Sequence, residues 1–221
     1  MRKSNMKINT LFLDFDGVIA ESVDIKTQAF ADLYRPFGEA IAAQAVAHHR
    51  SHGGMSRFEK FRIYHKQFLG LELSEQEVQD LANRFSELVT EAVIASPLVA
   101  GVVEFLEKYK NEVNYYVITG TPTEEIRTII KGKGLNHLLA SAFGSPEKKE
   151  FWVSSILQDS KLSADTCMFL GDAMADYTAA QLNGMAFALR MTADNTTLFQ
   201  DHKDIMRFHD FNDFDRQFAQ L

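Results

Sequence analysis

The sequence predicts an α/β fold, a doubly wound parallel sheet with a small all-helical domain inserted after its first strand. Two observations carry this. Apolar runs of strand length alternate with segments of helical spacing, the pattern of a parallel sheet with helices on its faces. One stretch, residues 22–95, breaks the alternation and reads as helices only. A crossover between neighbouring parallel strands needs only about a dozen residues, so this stretch is an insertion. The expected division is residues 1–21 and 96–221 for the sheet-bearing core and 22–95 for the helical cap.

Strands are expected at Ile8–Phe15, Asn114–Thr119, Ala140–Phe143, Thr166–Gly171 and Met185–Arg190, with a weaker one at Ile205–Phe208. Inside the insertion, helices are expected over Asp24–Tyr34, Glu39–His49 and Arg57–Phe68. The clearest follows Ser74, which forms a capping box with Glu77 and leads into Val78, Leu81, Phe85, Leu88, Val89 and Ala92 at helical spacing. After the second strand, Thr121 is expected to cap a helix with Pro122 in its first position and Glu124 closing a capping box.

Composition limits the function classes. Of 221 residues, 46% are hydrophobic and 24% charged, the balance of an ordinary globular protein, and 18 Phe supply bulk for a core. A net charge of −7 argues against broad nucleic-acid binding. No apolar stretch reaches membrane-spanning length, so no membrane partner is expected. The basic start MRKSNMKINT runs into Leu11–Phe15 without a long apolar segment or a small-residue cleavage site, and no signal peptide is expected. The single cysteine, Cys167, lies in an apolar run and reads as a buried structural thiol, which suits a reducing cytoplasm.

Four short segments carry chemistry. In LFLDFDGVIAES, residues 11–22, an apolar strand delivers Asp14 at its end, Asp16 two residues on, and Gly17 for a sharp turn. Two carboxylates beyond the carboxyl end of a buried strand occupy the crevice where open α/β sheets bind ligands. One can attack as a nucleophile while the other moves protons, and both call for a hard divalent cation between them and an anionic substrate. In YVITGT, residues 116–121, a strand ends in Thr119–Gly120 beside a helix start, a seat for an anion. In GSPEKKEFW, residues 144–152, a turn carries Lys148 and Lys149 to the start of a helix with apolar Phe151, Trp152, Ile156 and Leu157. In MFLGDAMAD, residues 168–176, a further strand ends in Gly171–Asp172, with Asp176 one helical turn on.

Taken in order, strand–DxDG, helical insertion, strand–Thr-Gly, Lys, strand–GDxxxD resembles the haloacid dehalogenase superfamily, in its members with a helical cap directly after the first motif. The resemblance spans essentially the whole chain and implies a Rossmann-like core. It implies Asp14 as the nucleophile that forms an aspartyl-phosphate, Asp16 as general acid/base with its backbone carbonyl toward Mg²⁺, and Thr119 with Gly120 against the phosphoryl oxygens. Asp172 would be the second carboxylate ligand of the metal, and Asp176 a partner of the metal or the lysine from outside the ligand set. Lys149 is preferred to Lys148 as the active-site lysine, from the usual spacing after the Ser-Pro turn. Dehalogenases and phosphonoacetaldehyde hydrolases of the superfamily lack an aspartate at the position of Asp16. Its presence implies a phosphatase or phosphomutase, and the first reading is a Mg²⁺-dependent phosphatase acting on a small phosphorylated metabolite.

A phosphomutase of the β-phosphoglucomutase type is the alternative. GGMSRFEKF, residues 53–61, is similar to that group's substrate loop, whereas Lys26 stands where the group places a histidine. A non-catalytic phospho-ligand-binding module on the same fold is the alternative of another class. Within a basic stretch that includes Arg50, Lys60, Arg62 and Lys66, Arg57 follows Gly53–Gly54 and is expected to reach into the cleft and bind the substrate's non-reacting part.

Overall fold

Alternation along the short first strand, β1 (Thr10–Leu13), sets up the centre of the molecule: Leu11 and Leu13 face one layer of helices and Phe12 the other, all fully buried. A computed structural model describes residues 7–221; residues 1–6, part of the basic start and of the expected core boundary, lie outside the described residues. Beside β1 run β2 (Asn114–Pro122), β3 (Ser141–Ser145), β4 (Cys167–Gly171), β5 (Ala186–Arg190) and β6 (Met206–Phe208), in the spatial order β3-β2-β1-β4-β5-β6. All five pairings are parallel, so this is a Rossmann-like doubly wound sheet.

Helices cover both faces. Helices α5 (Val102–Tyr109), α6 (Thr123–Gly132) and α9 (Phe211–Phe218) pack on the side of Leu11, Leu13 and Val117. Helices α7 (Lys149–Asp159) and α8 (Met174–Leu182) pack on the side of Phe12, Ile118 and Phe169. Between β1 and β2 lie α1 (Val23–Tyr34), α2 (Glu39–Ser51), α3 (Arg57–Tyr64) and α4 (Glu75–Ala95), an insertion without strands among the described residues. These helices close on an aromatic cluster of Phe30, Phe61, Tyr64 and Phe85, with the Phe30 and Phe85 ring centroids 4.5 Å apart.

Every expected strand is present with shifted ends. The first contracts to Thr10–Leu13 and the second extends to Pro122 through a register irregularity after Ile118. The helix expected over Arg57–Phe68 ends as α-helix at Tyr64 and continues as a wider π-type turn, His65–Leu69. The capping box at Ser74 forms, but the buried stripe of α4 is Val78, Ala82, Phe85, Val89 and Val93; Leu88 is exposed, because the helix turns that position away from α1 and α3. In α7, Val153 and Ile156 are buried and Phe151 is exposed. Cys167 is buried at the start of β4.

Parallel register is what assembles the site. Leu13 pairs with Val117 on one side and Leu170 on the other, so the chain leaves β1, β2 and β4 at a common edge. The Asp14 amide continues the ladder by donating to Leu170 O at 2.9 Å.

The α5–α9 layer supports this sheet through Phe105, whose ring lies 5.0–5.4 Å from Tyr109, Phe211, Phe214 and Phe218. Phe105→Ala should destabilise the protein by about 3–5 kcal/mol through lost burial and a residual cavity. Chemical denaturation checks this; a midpoint shift worth under about 1 kcal/mol would show that the layer collapses onto the vacancy.

Candidate active site

Asp14 is the first residue past β1, buried at 3% exposure with its carboxylate turned toward the shared strand edge. Its Oδ1 accepts from the Phe15 amide at 2.7 Å, and its Oδ2 lies 2.8 Å from Lys149 Nζ. Lys149 opens α7, and the same ammonium donates to Asp176 Oδ1 at 2.6 Å. Lys148 precedes it at the helix N-cap and is exposed. Desolvation works against the Lys149 charge, but Asp14 and then Asp176 outweigh it and hold the ammonium protonated above its ordinary range. Asp176 is fully buried in the first turn of α8 and reaches back to the Ala173 amide at 3.1 Å. Gly171 permits this approach, since a Cβ there would stand 2.2 Å from that of Asp176.

Asp172 follows Gly171 at the end of β4. Burial, reinforced by Asp14 and Asp176, pushes its carboxyl well above the ordinary value, and among the described residues it has no cationic salt-bridge partner. Oxygen atoms of Asp14, Asp172 and Asp176 lie within 4.8 Å of one another. A half-buried carboxyl group raised in this way, in an all-oxygen set, fits a hard divalent cation, which would offset the charge that the lysine leaves unmatched. Gly17 backs Asp172 at φ +76°, where a Cβ would stand 2.2 Å from Asp172 Oδ2.

Asp16 lines the same cleft but takes different partners. Its Oδ1 accepts from Ser22 Oγ at 2.6 Å, and its Oδ2 is ion-paired with Lys26 Nζ, a buried residue of α1. Burial alone would raise Asp16, but Lys26 and then Ser22 outweigh it and lower the carboxyl below its ordinary value. Thr121 shares this arrangement: Lys26 Nζ donates to Thr121 Oγ1, which lies 3.3 Å from Asp16 Oδ2. The expected cap at Thr121 is therefore corrected. Helix α6 begins at Thr123 with Pro122 at the N-cap and no side-chain cap bond, because β2 runs on to Pro122 and spends Thr121 on Lys26. Thr119, 2% exposed, lines the cleft, and its Oγ1 accepts from the Thr121 amide at 3.3 Å.

Two supports were not read from the sequence. Asn195 is buried and donates to Asp172 O at 2.9 Å and Arg190 O at 2.8 Å, fixing the backbone that carries Asp172. Arg190, at the end of β5, donates to Gly17 O at 2.8 Å and pairs with Glu21 at 2.5 Å, pinning the loop after Asp14. An arginine closing an apolar strand was the available signal; Asn195 lies in a polar run and gave none.

These groups open into a cleft of about 440 Å³ whose far wall is the insertion. The Gly53–Met55 loop lies directly on the strand edge. A Cβ on Gly120 would meet Gly54 O at 2.7 Å, and one on Gly54 (φ +75°) would come within 3.3 Å of Lys149 Nζ. Arg57 also lines the cleft, but its guanidinium is engaged by protein. It forks onto Glu125 of α6 at 2.6 and 2.8 Å, donates to Ser86 Oγ at 2.8 Å and lies 4.5 Å over the Phe85 ring. In this structure the guanidinium expected to reach substrate bridges insertion and core, because Glu125 in the first turn of α6 presents a carboxylate with matching geometry. Of the remaining basic stretch, Arg62 and Lys66 are exposed partners of Glu75 and Glu72.

A search among curated proteins gave no match. Solved structures similar to this chain include a predicted phosphoglycolate phosphatase from Haemophilus somnus (21% identity, TM-score 0.75, covering 97% of this chain and 99% of that one). A predicted phosphatase from Clostridium acetobutylicum is similar at 13% identity and TM-score 0.78 (97% and 100% covered). A proposed β-phosphoglucomutase from Bacteroides vulgatus is similar at 16% identity and TM-score 0.74 (97% and 88% covered). At these identities the likeness concerns the fold. A family model described as haloacid dehalogenase-like hydrolase matches residues 8–184, most of the chain, and spans all four strand-end motifs: the protein belongs to the haloacid dehalogenase-like hydrolases.

Proposed function

We propose that the protein is a Mg²⁺-dependent phosphatase that hydrolyses a small phosphomonoester through an aspartyl-phosphate on Asp14. The observation that carries this reading is the buried Asp14 carboxylate at the cleft floor, 2.8 Å from Lys149, with Asp172 and Asp176 beside it and Asp16 close by in sequence. Asp14 attacks phosphorus with the Lys149 ammonium 2.8 Å from its Oδ2, and the Thr119 hydroxyl and Gly120 backbone border the phosphoryl oxygens. Asp14 and Asp172, with the Asp16 carbonyl, would hold a divalent cation, which offsets phosphoryl charge when bound.

As the phosphorus–oxygen bond breaks, the leaving alkoxide takes a proton from the Asp16–Lys26 pair. In the second step that pair takes a proton from water, the water oxygen attacks phosphorus, and the Asp14–phosphorus bond breaks to release phosphate. A phosphomutase reading has one observation in its favour, the seating of the GGMSR loop on Gly120 and Lys149. Interconversion of a sugar 1-phosphate without phosphate release would favour it.

Asp14→Asn keeps the shape but cannot form the acyl phosphate. Phosphate release from a screened panel of phosphomonoesters should fall by roughly three orders of magnitude or more. Near-normal turnover by the purified variant would overturn the assignment.

Metal linkage gives a test without turnover. Asp172 is raised above its unfolded value, so its contribution to stability is present below about pH 4 and is lost as pH rises through the folded value. A cation at the site replaces that proton. Mg²⁺ should therefore raise Tm over an EDTA control, by more at pH 8 than at pH 5.5. No Mg²⁺-dependent shift at either pH would count against the metal site.

Arg57→Ala removes the bridge to Glu125 rather than a substrate contact. It should lower kcat/KM on a generic aryl phosphate and on the preferred metabolite by similar factors, of order tenfold. A loss confined to the metabolite would mean that Arg57 leaves Glu125 to bind substrate.

A further inference from the structure

His49 and Lys60 form a pair in the insertion that the chemistry above leaves unused. Lys60 is 2% exposed, its Nζ lies 2.8 Å from His49 Nδ1, and it sits 5.4 Å from the Phe30 ring centroid. The neighbouring buried cations all have carboxylates: Arg57 has Glu125, Lys26 has Asp16, and Lys149 has Asp14 and Asp176. Among the described residues Lys60 has only the imidazole.

When Lys60 is an ammonium, which donates and cannot accept, Nδ1 is the acceptor and the proton of the neutral ring lies on Nε2. The ring stays neutral: burial, then Lys60 and Lys26, push His49 down to about 2. Burial and Lys26 also draw Lys60 down to about 7, a shift that an anionic acceptor nearby would oppose.

This ring borders the substrate space. His49 lines the cleft together with Phe30 and Phe85, and its centroid lies 4.8 Å from that of Phe30. Its Nε2 has no protein partner among the described residues. It is not sealed away either, since the sealed side-chain polar atoms lacking a partner there are Tyr115 Oη and His202 Nδ1. The neighbouring histidines are not part of the pair: His48 and His52 stack on each other at 3.9 Å.

We propose that His49 is the specificity-determining contact of the cleft, donating its Nε2–H to a carboxylate or carbonyl oxygen on the substrate's leaving group, with Lys60 as the positioning residue that fixes the ring's tautomer. Phe30 and Phe85 supply the apolar wall beside that oxygen. This deepens the phosphatase reading and rests on it for the seat of the phosphoryl group.

The first test needs no turnover. In metal-free protein carrying ¹⁵N-histidine, His49 should show the Nε2–H tautomer, and Lys60→Met should shift it toward a mixture. Adding 3-phosphonooxypropanoate (a carboxylate) or hydroxyacetone phosphate (a carbonyl) should move the His49 Nε2 signal, while propyl phosphate should not. Whichever of the two moves it identifies the acceptor. A His49 signal in the other tautomer, or one that neither acceptor moves more than propyl phosphate does, overturns the proposal.

The second test uses the Mg²⁺-loaded enzyme. Wild-type kcat/KM should favour the acceptor-bearing ester over propyl phosphate by about tenfold or more. Lys60→Met and His49→Phe should each reduce that preference to within about threefold, mostly through KM, and the double variant should lose no more than either single one. His49→Gln, which keeps an acceptor for Lys60 and a donor for the cleft, should retain most of the preference and controls for folding. Preference unchanged in Lys60→Met overturns the positioning role. Failure of wild type to release phosphate from any ester overturns the phosphatase reading instead, and the signal shifts then decide the His49 contact alone.

Discussion

The site depends on one buried ammonium shared by two carboxylates. Asp14, Asp172 and Asp176 converge because the adjacent parallel strands β1 and β4 end at a common edge and α8 turns back beside it, and their mutual repulsion opposes folding. Lys149, delivered by the turn before α7, lies within 2.8 Å of both Asp14 and Asp176 and makes the arrangement tenable. Removing one partner of such a pair strands a charge, at a cost of about 3–5 kcal/mol. Several local features follow. Gly171 lets Asp176 approach the strand, Gly17 makes room for Asp172, and Gly54 lets the insertion lie on the lysine. One carboxyl, Asp172, has no cationic salt-bridge partner among the described residues, and the oxygen set it forms with Asp14 and Asp176 suits a divalent ion.

The two parts of the chain divide the work. The sheet edge supplies the charges, and the insertion supplies a wall of aromatic rings and paired cations. They meet through contacts that tolerate little displacement: the Gly54 carbonyl lies close over Gly120, and Arg57 reaches Glu125 with both arms of its fork. Cations near the cleft are consumed by internal partners, so its charge is arranged before any ligand arrives, a form of preorganisation.

Lys26 shows how one residue changes a familiar motif. It binds Asp16 and Thr121 together, joining α1 to the first and second strand ends. With Lys26 in place, Asp16 rests as a carboxylate. Because Lys26 belongs to α1, that helix cannot move without disturbing the pair.

The alternation of apolar runs, the helical stretch between the first two, and the strand-end positions of Asp14, Asp16, Thr119, Asp172 and Asp176 were legible in the sequence by itself, whereas the choice of Lys149 over Lys148 was left open until the structure set Lys149 beside Asp14 and Asp176. Strand periodicity and strand-end position are local properties, and a parallel sheet converts them into one edge. Only the tertiary structure decided the partners. That Arg57 is spent on Glu125, Lys26 on Asp16, Arg190 on Gly17 and Glu21, and Lys60 on His49 depends on residues up to about 170 positions apart meeting in three dimensions. An arginine on a helix reads the same whether it faces a substrate or a glutamate, because spacing reports which face a side chain occupies and not what waits opposite.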